Sequence, residues 1–179
     1  DQRPNPQSPY AVSKLAAEYY VRTIGALWGI ETVVLRVFNA YGPGQRLPPS
    51  HPPVVPRFLH QAREGGSLVI FGGGGQTRDF VYVDDVVEAL IAAATAPDVD
   101  RRIINVGSGR ETSINDLVSL VAQVVGKRTE VLHSPAESGG VGRLCADIAA
   151  ARRLLGYEPE VDLLEGLRRT MDRDPRFRG

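Results

Sequence analysis

The run Thr32-Val33-Val34-Leu35-Arg36-Val37-Phe38 is almost unbroken in apolar and β-branched residues. A strand with one wet face alternates apolar with polar positions, and this one does not. Such a run marks a strand covered on both sides, as in the parallel sheets of α/β proteins. Strands alternate with helical patterns along the rest of the chain, which makes the fold class α/β.

Ahead of this strand lies a polar, proline-rich opening. Ser8 is the expected N-cap of a helix over about 10–28, with Pro9 at its first position and Gly29 as its stop. Val12, Leu15/Ala16, Tyr19, Thr23 and Ala26/Leu27 recur every three to four residues and are its expected buried stripe. A long proline-rich loop over 45–56 leads into a helix over 54–63 and a short strand over 68–71. The segment 78–83 reads as one strand, with Asp84 capping a helix to Ala96. A buried strand over 103–106 follows, then a helix over 114–125 capped by Ser113 and stopped by Gly126. A strand over 130–133, a helix capped by Asp147 and ending at Gly156, and a last helix over 163–171 complete the pattern.

At 179 residues with 42% hydrophobic and 23% charged side chains, the chain can bury a proper core and is not a disordered sequence. No apolar run approaches the length of a bilayer span. A formal net charge of zero argues against nucleic acid as partner. Cys145 is the only cysteine, which fits a reducing, cytoplasmic setting and excludes an intrachain disulfide. His51, His60 and His133 show no metal-ligand spacing, so no metal site is expected. The chain opens without Met and reaches its most distinctive motif at once. It therefore reads as part of a longer protein.

That motif is Ser8-Pro9-Tyr10-Ala11-Val12-Ser13-Lys14. Tyr10 and Lys14, four residues apart on a helix, share one face, which sets an ammonium beside a phenol. A fixed positive charge favours a phenolate, and that is how a tyrosine becomes a usable proton acceptor and donor. The chain holds six tyrosines but only two lysines, so a chance match at this spacing is rare.

Asn39, directly after the strand, stands where open α/β sheets place ligand contacts, although asparagine also simply favours turns. The glycine run 72–75 lacks the spacing of a dinucleotide fingerprint and leads into a strand instead of a helix. Arg78, just after this flexible loop, carries a guanidinium suited to bidentate phosphate binding, or is an ordinary surface arginine. Asp84 and Asp85 are better explained by a helix N-terminus, which favours acidic residues, than as a catalytic carboxylate pair.

Taken together, four segments resemble the C-terminal part of an extended short-chain dehydrogenase/reductase, of the NAD-dependent nucleotide-sugar epimerase/dehydratase family. They are the Ser8–Lys14 element, Leu35-Arg36-Val37-Phe38-Asn39-Ala40-Tyr41-Gly42-Pro43, Gln76-Thr77-Arg78-Asp79-Phe80-Val81-Tyr82-Val83-Asp84-Asp85, and Asn105-Val106-Gly107-Ser108-Gly109. Ala146-Asp147-Ile148 and Leu154-Leu155-Gly156-Tyr157-Glu158-Pro159 agree as well. The similarity spans almost the whole chain in the family's order.

The resemblance implies a Rossmann-type domain, C-terminal part only, formed by 1–45 and 80–110, and a small nucleotide-sugar-binding domain formed by 46–79 and 111–179. It implies NAD as cofactor, with Tyr10 as the acid/base residue, Lys14 on the nicotinamide ribose and Phe38 near the nicotinamide. Asn39 is expected to bond the diphosphate of a UDP-sugar. Val69 to Gly72, with Phe71 prominent, line the pyrimidine pocket, and Arg78 and Arg143 neutralise the diphosphate. The helix carrying Tyr10 packs against its twofold mate in the family, so a homodimer is expected.

The implied reaction is 4-epimerisation through a keto-sugar, as in UDP-glucose 4-epimerase. A 4,6-dehydratase or a decarboxylase shares every motif quoted above, and a non-catalytic nucleotide-sugar-binding module would keep Arg78 and Phe71. Two departures stand out. The family's glycine fingerprint and catalytic Ser/Thr fall before residue 1, so this stretch alone is expected not to turn over. Where members often carry Arg-x-Gly-Asp, this chain has Glu137-Ser138-Gly139-Gly140.

Overall fold

A computed structural model describes residues 4–50, 52–135 and 141–178. In chain order the elements are α1 (Pro9–Trp28), β1 (Val33–Val37), β2 (Asn39–Tyr41), α2 (Val54–Arg63), β3 (Leu68–Phe71), β4 (Thr77–Arg78) and β5 (Phe80–Tyr82). They continue as α3 (Val83–Thr95), β6 (Arg102–Val106), β7 (Thr112–Ser113), α4 (Ile114–Val125), β8 (Val131–Ser134), α5 (Ala149–Leu155) and α6 (Leu163–Arg173).

Three strand pairs are parallel: β1 with β6, β2 with β5, and β3 with β8. The short β4–β7 pair is antiparallel. The expected α/β class is therefore the observed one. Among the described residues, β1 is paired along one edge only.

Two apolar cores organise the chain. One gathers Tyr41, Phe58, Leu59, Leu68, Ile70, Tyr82, Leu117, Val121 and Leu167 from α2, α4, α6 and the strands between them. The other sets Val81, Ala89, Ile104 and Val106 against Ala146, Ile148, Ala151 and Tyr157. In the first, α6 approaches so closely that a Cβ on Gly166 would overlap the Tyr41 hydroxyl. Tyr41 in turn meets Tyr82 edge-on, 5.6 Å between ring centres.

The helix-end signals resolve in two ways. Ser8 accepts from Ala11 N at 3.1 Å, and Gly29 closes α1 with a left-handed backbone. Ser113 and Asp116 form a reciprocal capping box on α4. Asp84, however, does not cap α3, because the helix begins at Val83, so Asp84 and Asp85 lie in its first turn. Their carboxylates work at longer range. Asp84 pairs with Arg173 at 3.1 Å, and buried Asp85 accepts from Glu160 N at 3.0 Å and Val161 N at 3.3 Å. Likewise α5 starts at Ala149, whose N–H Asp147 takes at 3.0 Å from just outside the helix.

The expected stripe of α1 is corrected everywhere but at Leu15, which is part-buried. Val12, Tyr19 and Leu27 are 52%, 56% and 75% exposed. The face turned toward the strands is Ala11, Leu15, Glu18, Arg22 and Gly25. Glu18 binds Arg36 of β1 through two hydrogen bonds of 2.9 and 3.0 Å, and Gly25 lets the helix end lie against Thr32. An ion pair and a glycine, not an apolar row, dock this helix.

The strand expected over 78–83 is split at Asp79, whose side chain is fully buried. Its carboxylate accepts from Ser108 N and Ser108 Oγ, both at 2.7 Å, and from Gly109 N and Ala146 N, both at 3.0 Å. A charge buried this deeply needs such donors. They bind the turn 107–109 and the segment before α5 to the residue beside Arg78.

Candidate functional site

Two recesses hold most of the residues singled out in the sequence. The larger, about 820 Å³, is a groove between α1 and β1, lined by Tyr10, Ala11, Lys14, Leu15, Glu18 and residues 33–37. Ser8 and Pro9 start α1 in register so that Tyr10 and Lys14 fall one turn apart on its open side. Tyr10 is 71% exposed, and the Lys14 ammonium lies 5.4 Å from the centre of its ring. Phenol and ammonium are thus neighbours at the rim of a long, mostly apolar recess.

At the end of β1, Phe38 packs against the second core while its N–H donates to Val106 O at 2.9 Å. The Asn39 N–H donates to Asp79 O at 3.0 Å. The side-chain oxygen of Asn39 is buried with no hydrogen-bond partner among the described residues.

The second recess, about 150 Å³, is lined by Val54, Arg57, Phe58, Val69, Ile70, Phe71, Gln76, Arg78 and Ile114. Arg78 reaches it held by two carbonyls, Thr77 O at 2.7 Å and Val141 O at 2.8 Å. Gln76 donates to Phe71 O at 3.2 Å. The glycine run beside it is pinned, contrary to the flexible loop expected from its composition. Asn115 donates to Gly73 O at 3.0 Å, and the amides of Ile114 and Asn115 donate to Gln76 O and Gly74 O at 3.1 Å each. Gly74 has a left-handed φ of 72°, and a Cβ there would overlap the Asn115 side chain. The first amides of α4 are thereby used by the loop itself and not offered to a phosphate.

The structure unites Tyr10 with Lys14 in the groove, and Val69, Phe71 and Arg78 in the pocket. Arg78 lines the pocket and not the groove. Gly72 is not among the lining residues; it donates to Ser134 O at 2.9 Å, and its carbonyl lies 3.1 Å from His133 Nδ1. Arg143 is largely exposed outside both linings, its Nε donating to Glu111 Oε1 at 2.6 Å. That hydrogen bond holds the Glu111 carboxyl below the usual range for a glutamate. Residues 137–140, where the family's Arg-x-Gly-Asp is missing, lie outside the described residues, as does His51. The described residues contain no cluster suited to a metal ion.

Sequence reasoning missed Arg57. Arg57 shares its face of α2 with Val54, His60 and Gln61, opposite the buried stripe of Val55, Leu59 and Ala62, so no pattern in the sequence set it apart from a surface arginine. Burial pushes its guanidinium pKa down.

Comparison with known proteins completes the picture. The model of the NAD dependent epimerase/dehydratase family matches residues 1–107. A putative UDP-glucose 4-epimerase of Methanocaldococcus jannaschii is 39% identical over 94% of this chain and 53% of its own length. The crystal structure of Thermotoga maritima UDP-glucose 4-epimerase with UDP-glucose superposes with a TM-score of 0.87 at 37% identity, covering 93% of this chain and 53% of that one. The Bacillus cereus UDP-glucuronic acid 4-epimerase, in complex with UDP-glucuronic acid and NAD, gives a TM-score of 0.87 at 36% identity, covering 96% and 54%. The chain spans about half the length of the relatives it matches.

Proposed function

The chain belongs to the NAD-dependent epimerase/dehydratase family, and from that premise we propose that it is part of an enzyme that epimerises a UDP-sugar at C4. The observation that carries this reading is the Tyr10–Lys14 pair, with ammonium and phenol ring 5.4 Å apart at the rim of the groove.

The groove fits a nicotinamide dinucleotide. Its walls are largely apolar, and the Lys14 ammonium offers three donors of the kind that ribose hydroxyls accept. Held there by Lys14 and bordered by Phe38, NAD would supply the redox chemistry, hydride transfer to and from the sugar. Tyr10 Oη takes the proton of the sugar hydroxyl as the keto-sugar forms and gives it back when the opposite face is reduced. Lys14 keeps a positive charge beside that phenol. Val69 and Phe71 line the place for the pyrimidine, Asn39 and Arg78 bond the diphosphate, and Phe38 borders the nicotinamide. The protein's part is orientation and electrostatics. The exposed apolar side chains of α1 support a homodimer formed through that helix.

Replacing Tyr10 by Phe in the full-length protein is expected to lower turnover about a hundred- to ten-thousandfold with nucleotide affinity kept. Unchanged turnover rejects the role. Incubation with UDP-, dTDP- and GDP-sugars then identifies the chemistry. C4 epimers of a UDP-sugar support the reading; loss of water or of carbon dioxide assigns the protein to the dehydratases or decarboxylases instead.

A further inference from the structure

We propose that Arg57, on the first turns of α2, is the second cation of the anion site, closing with Arg78 on the diphosphate of a nucleoside diphosphate sugar. This inference rests on the nucleotide-sugar reading above and adds to it a residue from a different element.

Three observations converge. The pocket that holds Val69, Phe71 and Arg78 is lined by two guanidinium groups and by no carboxylate. An anion entering this recess meets two cations and no opposing charge. Next, Arg57 is uncommitted. Its Nε is buried and has no hydrogen-bond partner among the described residues, and its recorded contact is with the face of Phe58, 5.1 Å from the ring centre. Arg36, Arg143, Arg152, Arg169, Arg173 and Arg176, by contrast, each have a carboxylate partner. An unpaired, partly desolvated guanidinium is costly to keep unless a ligand uses it.

The third observation is the state of the other candidate. Arg143 is bound to Glu111, which also accepts from Thr77 Oγ1 at 3.2 Å, so its charge is already answered. Arg57 stands on a well-buried helix, between buried Pro56 and Phe58 of the first core, and that fixes where its side chain begins. A planar fork on a rigid base suits phosphate oxygens.

The experiment compares UDP with uridine on the full-length protein by calorimetry, using Arg57→Gln, Arg57→Lys and Arg78→Gln. The expected result is a loss of about ten- to a hundredfold in UDP affinity for Arg57→Gln, with uridine affinity held within about twofold. Arg57→Lys is expected to recover part of the UDP affinity, since it restores charge without the fork. UDP affinity unchanged in Arg57→Gln, with Arg78→Gln clearly weakened, overturns the role of Arg57 and leaves the nucleotide-sugar reading standing. Equal loss of uridine and UDP in Arg57→Gln also overturns it, because the residue then serves the base or the fold. If the unmodified protein binds neither compound, the nucleotide-sugar reading falls and this inference with it.

Discussion

The groove beside α1 and the pocket under the glycine loop differ in how they are closed. The pocket is assembled from α2, β3, the loop ending at β4 and the start of α4, four segments tied to one another by hydrogen bonds and a shared core. The groove has α1 on one side and a single strand on the other, and the helix leaves Tyr20, Leu27 and Trp28 between 70% and 76% exposed. One recess is finished by its own neighbours. The other presents reactive residues on an element with few attachments. On the proposed function, chemistry and binding fall to structures of unequal independence, and substitutions are expected to separate them.

The largest separation is expected from Lys14→Met in the full-length protein. Turnover should fall about a hundredfold or more while UDP affinity stays within about threefold, because the groove loses its ammonium and the pocket loses nothing. Parallel loss of UDP affinity would show that the two recesses are not separable. Next comes Leu117→Ala in the core beneath the pocket, fully buried in the wild type. A stability loss of about 2–5 kcal/mol in chemical denaturation is expected.

Asp174 gives a smaller effect with a distinctive pH signature. Its buried carboxylate accepts from Arg176 and from Gly44 N at 2.8 Å, which fastens the start of the proline-rich loop to the chain end. These bonds, that to Arg176 first, hold its pKa well below the ordinary carboxylate range. A depressed folded-state pKa contributes stability that is present above the unfolded value, near 4, and is lost as pH falls through the folded one. Asp174→Asn should therefore cost about 1–3 kcal/mol at pH 7, and the difference from wild type should shrink below about pH 4. A difference independent of pH would remove the carboxylate from the explanation. The smallest effect is expected on α1. Val12→Ser should change the unfolding free energy by less than about 0.5 kcal/mol, since the side chain is already half exposed. A larger loss that depends on protein concentration would locate a subunit contact on that face.

The same contrast explains what could be read from the sequence. Local chemistry was legible: Ser8, Ser113, Gly29, Gly126 and Gly156 end or begin helices where expected, because capping depends on a few adjacent residues. The Tyr10–Lys14 pairing was legible for the same reason. The orientation of α1 was not. Apolar residues surround most of that helix, so periodicity cannot choose a face, and the true one is set by Gly25 and a Glu18–Arg36 pair that hydropathy scores as outward. The bonds of Asp79 were hidden because their partners come from distant segments, and Arg57 because the elements that share its pocket do. The three-residue strand 39–41 does not show in the sequence, being too short for alternation.

The strand pairing carries a kinetic consequence. Among the described residues every strand pair joins segments that have at least one helix between them, and none is a hairpin. No sheet contact can therefore form early from neighbouring residues, and each must await closure of a long loop. Refolding from denaturant should be slow compared with that of a helical bundle of equal size.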